Sequence, residues 1–146
     1  MSTSYYTVAG IGIDTAKIFG HINNHKVIDI LLKLFPDDLE LMELKKRRNL
    51  RYFPVEEYLY EADLYNFAEL IARYCDDTNT LTYGDAEDGE FLYYPPSMPW
   101  DRRENEPKSI QEVHDRIISA VVKVTDMSRE EIEALIEDDL FAVGCG

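Results

Sequence analysis

Apolar and polar positions along the chain switch between strand-like and helix-like spacing. Residues 5 to 13, YYTVAGIGI, join aromatic and β-branched residues to two glycines with no charge, which predicts a buried or half-buried strand. Asp14 and Thr15 end it, and either side chain suits the cap of a short turn. Across residues 21 to 35, Ile22, Val27, Ile28, Leu31, Leu32 and Phe35 fall mostly at helical intervals. Asn23 or Asn24 stands at the N-cap and Pro36 at the stop, and a strand over Lys26 to Leu31 is the competing reading. The segment DDLELMELKKRR runs from acidic to basic, as a helix dipole favours, and sets Leu39, Met42 and Leu50 toward one side.

Beyond Pro54, Leu59, Ala62, Leu64, Phe67, Ala68, Ile71, Ala72 and Cys75 make a stripe that predicts one long helix over 56–75. LTYG and EFLYY, joined by DAEDG, predict a β-hairpin with an acidic loop in which Gly89 takes a positive φ. Prolines 95, 96, 99 and 107 forbid regular structure in the following connection, where Met98 and Trp100 are expected to fold back as an anchor. Ser109 with Glu112 and Ser128 with Glu131 are capping-box pairs, each ahead of an amphipathic run, and a final LFAV run suits an exposed sheet edge. The expected fold is α+β: about four to five helices packed with a small antiparallel sheet made of the N-terminal strand and the central hairpin. At 146 residues it is read as a single compact domain, 1–146.

Charge sharpens this picture. Acids outnumber bases 29 to 15, for a net charge of −14, so direct binding to nucleic acid or anionic lipid is not expected and basic protein surfaces are the natural partners. Between Tyr52 and Trp100 stand Glu56, Glu57, Glu61, Asp63, Glu69, Asp76, Asp77, Asp85, Glu87, Asp88 and Glu90 against one base, Arg73. Tyr52, Tyr58, Tyr60, Tyr65, Tyr74, Tyr83, Tyr93 and Tyr94 share that stretch, and tyrosine offers broad contact area while tolerating partial exposure. The acids together with Tyr58 and Tyr65 are therefore the candidate partner-binding set. The opposing run Lys45, Lys46, Arg47, Arg48 and Arg51 is expected to pair with the acidic middle, internally or across a homodimer. With no basic leader ahead of an apolar stretch and no membrane-length apolar segment, the chain reads as cytoplasmic and not membrane-bound. Cys75 and Cys145 lie too far apart in sequence to suggest a metal or redox pair; Cys75 is expected to be buried and Cys145 exposed.

Candidate chemistry is sparse. In GIGID the third glycine of a dinucleotide fingerprint is replaced by Thr15. Asp14 at a strand end is a candidate divalent-metal ligand if other carboxylates converge on it. His21, His25 and Asp29 recur at intervals of four and would share a helix face as a candidate zinc set, but the glutamate of the zinc-protease pattern is absent. Neither Asp76 nor Asp85 starts a calcium loop with glycine sixth. His114 sits beside Val113 as a flank of the core, and no cofactor motif is present, so no catalytic, metal or cofactor residue is assigned. The preferred function is a non-catalytic acidic interaction protein, of the kind that imitates nucleic acid and occupies the basic groove of a nucleic-acid-binding protein or nuclease; small phage or mobile-element inhibitors are a natural setting. The alternatives are a structural or assembly subunit acting through self-association, and a small metal-dependent enzyme built around Asp14 or His21/His25/Asp29.

Overall fold

The computed structural model describes residues 5–87, 89–101 and 103–145, with the side chains of Tyr5, Tyr6 and Cys145 outside that description. Strands β1 (Tyr5–Asp14), β2 (Thr82–Ala86), β3 (Gly89–Tyr94) and β4 (Glu137–Cys145) form one antiparallel sheet in the order β2-β3-β1-β4. The long β1 serves two partners. It pairs with β4 from Tyr5 opposite Cys145 to Gly10 opposite Leu140, and again at Gly12 opposite Glu137, while its second half pairs with β3, from Ile11 opposite Tyr94 to Asp14 opposite Phe91. The β4 register shifts between Gly10 and Gly12, and at Gly12 the strand has a partner on each side.

Each sheet face carries an apolar cluster, as the uncharged run of residues 5–13 implies. Ile13 and Leu92 face the helices and join the main core. Val8, Phe91, Leu140 and Ala142 make a second, small cluster. There the hairpin end crosses toward β4 and β1: the N–H of Glu87, just beyond β2, donates to the Val143 carbonyl on β4 at 3.5 Å, and Val8 Cγ2 on β1 stands 2.8 Å from where a Cβ on Gly84 would be. The sheet curls over this cluster.

The helical side corrects the expected count. Seven helices, not four to five, are present among the described residues: a 3-10 helix (Thr15–His21), then α1 (Asn24–Leu34), α2 (Leu39–Lys45), α3 (Val55–Glu61), α4 (Phe67–Tyr74), α5 (Ile110–Val121) and α6 (Arg129–Glu133). Two causes account for the difference. The 3-10 helix is too short to show a period, although Asp14 caps it by accepting the Ala16 N–H at 2.9 Å. The expected 56–75 helix is two helices, because Asp63 takes a left-handed φ of 59° and Asn66 starts a new helix by accepting the Glu69 N–H at 2.8 Å. Asn66 and Glu69 carry the capping-box spacing, a stop-and-restart signal that the continuous apolar stripe hid.

Elsewhere α1 starts on Asn23, and α6 has a complete capping box from Ser128 and Glu131. In α2 the buried residues are Leu41 and Leu44, whereas Leu39 and Met42 face solvent. Ile28, Leu31, Leu41, Leu70, Ile71, Ile117, Ile118 and Ile132 are fully enclosed in the main core. Lys26 on α1 donates its Nζ to the carbonyls of Val122 (3.0 Å) and Thr125 (2.7 Å), satisfying the open end of α5 with a cation.

The 95–109 connection is braced from within. Arg103 donates to the Pro95 and Pro96 carbonyls and lies 5.3 Å from the Tyr94 ring centre, while Arg116 donates to the Asn105 carbonyl and to Thr80 Oγ1. With those arginines filling its inner side, Trp100 does not fold back and is 75% exposed. Among the described residues no helix is long and apolar enough to cross a membrane.

Candidate functional site

Ending α3 at Glu61 leaves a gap beside the 3-10 helix, and the gap is a cleft of about 500 Å³. Ile22, Val55, Leu59, Leu64 and Phe67 give it apolar walls, and Phe19, Tyr60 and Tyr65 stand at its edge. Tyr60 is 86% and Tyr65 68% exposed, and Phe19 packs edge-on against Phe67 with ring centres 6.1 Å apart. Three shallower depressions adjoin through Tyr60, Tyr65 and Phe19. Together the four are lined by Glu56, Glu57, Glu61, Asp63, Glu69, Asp85, Glu87 and Glu90, and by no lysine, arginine or histidine among the described residues.

The acids in this face differ in role. Glu56, Glu57, Glu61, Asp63 and Glu87 are exposed. Glu56 and Glu57 lie in the first turn of α3, where the helix dipole favours them. Asp85 accepts the Asn66 Nδ2–H at 2.9 Å. Glu90, half-buried on β3, accepts the Thr15 hydroxyl at 2.8 Å. Burial pushes the Glu90 carboxyl up, and the charges of Asp85 and Asp14 add to this against the hydrogen bonds from Thr15 and the Ala68 N–H.

Glu69 is buried, at 4% exposure, and is already engaged: it accepts the Tyr65 N–H at 2.6 Å and pairs with Arg73 at 3.2 Å. Thus Glu56, Glu57, Glu61, Asp63, Asp85, Glu87, Glu90 and Tyr65 are gathered on one face, with Glu69 at its inner side. Asp76, Asp77 and Tyr58 line none of the four depressions. Asp76 is buried in a turn that it caps, Asp77 pairs with Lys123 at 2.8 Å, and Tyr58 stacks on Phe53 with ring centres 5.5 Å apart, its hydroxyl pushed up to about 12 chiefly by burial. Asp88 lies outside the described residues. Phe19, Tyr60 and the apolar walls were absent from the sequence-derived set; locating the cleft needed the break between α3 and α4.

The candidate metal residues are dispersed. His21 ends the 3-10 helix while His25 and Asp29 lie on α1, so the spacing of four does not run along one helix. The His25 ring donates Nε2–H to the Arg47 carbonyl at 2.5 Å, and Asp29 pairs with Lys45 at 2.9 Å. Among the described residues no group of three or more His, Cys, Asp or Glu side chains is placed to hold a metal ion. Cys75 is buried, which pushes its thiol up to about 12; the Cys145 side chain is outside the description.

His114 ties three elements together. From α5, Nε2 meets Asp138 at 2.5 Å and Nδ1 meets Glu133 at 3.4 Å, and two carboxylate acceptors require both ring nitrogens to donate. Burial lowers the pKa of this imidazole, but the hydrogen bonds and charges of Asp138 and Glu133 outweigh it and the net shift is upward. A raised folded pKa makes this contribution to stability complete below the ordinary value of 6.5 and lost as pH rises through the folded one. His114→Gln is therefore expected to destabilise most at acidic pH and to lose the decline in stability that the parent shows above neutrality, as read from urea midpoints across pH.

Comparison with known proteins finds no match: no family model, no curated protein and no solved structure.

Proposed function

We propose that this protein is a non-catalytic interaction protein that binds a basic protein surface through the face formed by the 3-10 helix, α3, the turn into α4 and the β2–β3 hairpin. The supporting observation is the lining of that face: eight carboxylates and no described cation around an apolar cleft edged by Phe19, Tyr60 and Tyr65. Charges of one sign beside low-dielectric walls focus a field that speeds encounter with an opposite charge, and exposed aromatics supply the area that holds it. In this reading the partner is a cytoplasmic nucleic-acid-binding protein or nuclease, and the acidic face blocks its basic groove as an inhibitor. The concave centre favours a partner that projects an aromatic or aliphatic side chain among its lysines and arginines.

The test is capture from lysate with the parent protein and with a quadruple reversal, E56K/E57K/E61K/E87K, all at exposed positions. The parent is expected to retain basic nucleic-acid-binding proteins at low salt, to release them to added duplex DNA, and to lose them at high salt; the reversed protein retains none. Any one of the four reversals is expected to slow association by about tenfold or less and to leave dissociation nearly unchanged. Retention that is indifferent to the quadruple reversal sinks the assignment of this face.

A further inference from the structure

The run Lys46, Arg47, Arg48 and Arg51 is not used by the acidic face of its own chain. All four residues are exposed, and none forms an ion pair with any described residue. Of the other described lysines and arginines, Lys17, Lys45, Arg73, Arg103, Arg116, Lys123 and Arg129 each contact a carboxylate and Lys26 is held by two carbonyls, while Lys33 and Lys108, which form no ion pair with a described residue, stand apart from one another in the sequence. In a chain with 29 acids, four neighbouring cations left unpaired are the anomaly to be explained. Nor is their backbone loose: the His25 ring donates to the Arg47 carbonyl, and Asn24 Nδ2 donates to the Leu50 carbonyl at 2.9 Å, so α1 holds the loop in place. Tyr52, at 80% exposure, stands beside them. The loop therefore presents what the acidic cleft accepts, namely guanidinium and ammonium groups flanking an exposed aromatic ring.

The geometry points to a second copy of this chain as an occupant of the cleft, with the 46–52 loop of one copy set against Glu56, Glu57, Glu61 and Tyr60 of the other. Four residue steps separate Arg51 from Val55 in the cleft wall, a reach of at most about 14 Å, so the basic loop and the acidic cleft adjoin on one chain. Two complementary patches side by side become self-complementary under a two-fold axis: each loop then meets the other copy's cleft, and both contacts form together in a closed dimer. Repulsion between two chains of −14 is long-range and largely screened at physiological salt, whereas pairs in contact lie well inside the screening length. This inference goes beyond the proposed function, because it needs no foreign partner; it makes the dimer a state that a basic partner must displace.

The test is sedimentation velocity or light scattering of the full chain over a concentration series, with circular dichroism as the check on folding. The parent is expected to rise from 17.0 kDa toward twice that mass and to return to monomer at high salt. Reversing the loop (K46E/R47E/R48E/R51E) or the cleft (E56K/E57K/E61K/E87K) is expected to weaken self-association at least about tenfold. Mixing the two reversed proteins restores a species of doubled mass, because each then carries the complement of the other. Should the cleft reversal not fold, E56Q/E57Q/E61Q/E87Q replaces it in the single-variant arm, with the same expected weakening. A parent that stays monomeric throughout, a dimer that survives either reversal, mixed variants that do not combine, or a loop that binds duplex DNA while the protein remains monomeric overturns the inference. Capture of a basic partner by monomeric protein would leave the proposed function standing without it.

Discussion

Gly10→Ala is expected to remove a large part of the chain's stability. Gly10 takes φ +134°, and a Cβ there would lie 2.0 Å from the Tyr94 carbonyl oxygen and 3.0 Å from its carbon. Neither obstacle is the end of a flexible side chain; both belong to the backbone of β3, which pairs with β1 from the next residue onward. A non-glycine residue in such a backbone region costs about 1–3 kcal/mol, and forced overpacking costs a similar about 1–3 kcal/mol. The combined loss, about 2–6 kcal/mol, is a large fraction of the stability of an ordinary domain, on the order of 5–15 kcal/mol. Urea unfolding followed by circular dichroism measures it. Gly20→Ala is the matched control: nothing lies within 4 Å of the added carbon, and the shift should stay within about 0.5 kcal/mol. Similar midpoints for the two variants would refute the account of the strand junction.

Asp76→Ala is expected to cost about 3–5 kcal/mol, because it strands several donors at once. One oxygen of this buried carboxylate accepts the Thr78 N–H at 3.0 Å and the Thr78 hydroxyl at 2.6 Å; the other accepts the N–H groups of Thr80 and Leu81, both at 2.8 Å. The turn between α4 and β2 is thus wound around a single side chain. Asp76→Asn keeps the shape but turns one of the two acceptor oxygens into an NH2 donor, leaving at least one backbone N–H of the turn without its acceptor, and should cost about 2–3 kcal/mol.

The pH dependence identifies the charge. Burial alone would raise the Asp76 pKa, but the Thr78 hydroxyl and the N–H groups of Leu81, Thr80 and Thr78 outweigh it and hold the carboxyl below its ordinary 3.8. A depressed folded pKa gives stability that is present above the unfolded value and lost as pH falls through the folded one. The gap between the parent and Asp76→Asn should therefore narrow as the solution goes from about pH 5 toward about pH 2. A gap that stays constant over that range would show that the turn depends on shape and not on ionisation.

The parts legible in the sequence are those where a short pattern has a local cause. Ser109, Ser128 and Asn23 start helices because their side chains accept N–H groups within the next few residues, and residue type alone states that capacity. The hairpin was legible from its alternating pattern, but the expected DAEDG loop is shorter, because Asp85, Ala86 and Gly89 belong to the paired strands. The 56–75 stripe misled because Leu59, Leu64 and Phe67 are all buried whether the helix continues or restarts; hydrophobic periodicity records burial, not continuity. The two glycines of GIGI were legible only as exceptions to a strand pattern, since their cause, the close passage of β3, lies more than 80 residues away. The acidic face was half readable. Charge density marked the segment, but Glu69 and Asp76 could not be told from their exposed neighbours, because their engagement depends on the backbone N–H groups that the turns around them expose.

The sharing of β1 between two partners has a consequence for the nascent chain. Strand β1 is made before the other strands of its sheet and finds its β4 partners in residues 137–145, so that side of its ladder cannot close until those residues have been made. Throughout synthesis the Tyr5–Gly10 edge, free of charge, is a template for pairing with other chains. Closing a ladder across so long a stretch of chain is a slow, non-local step. Helices capped by their own neighbours form early by comparison, and the sheet that organises the hairpin is completed last.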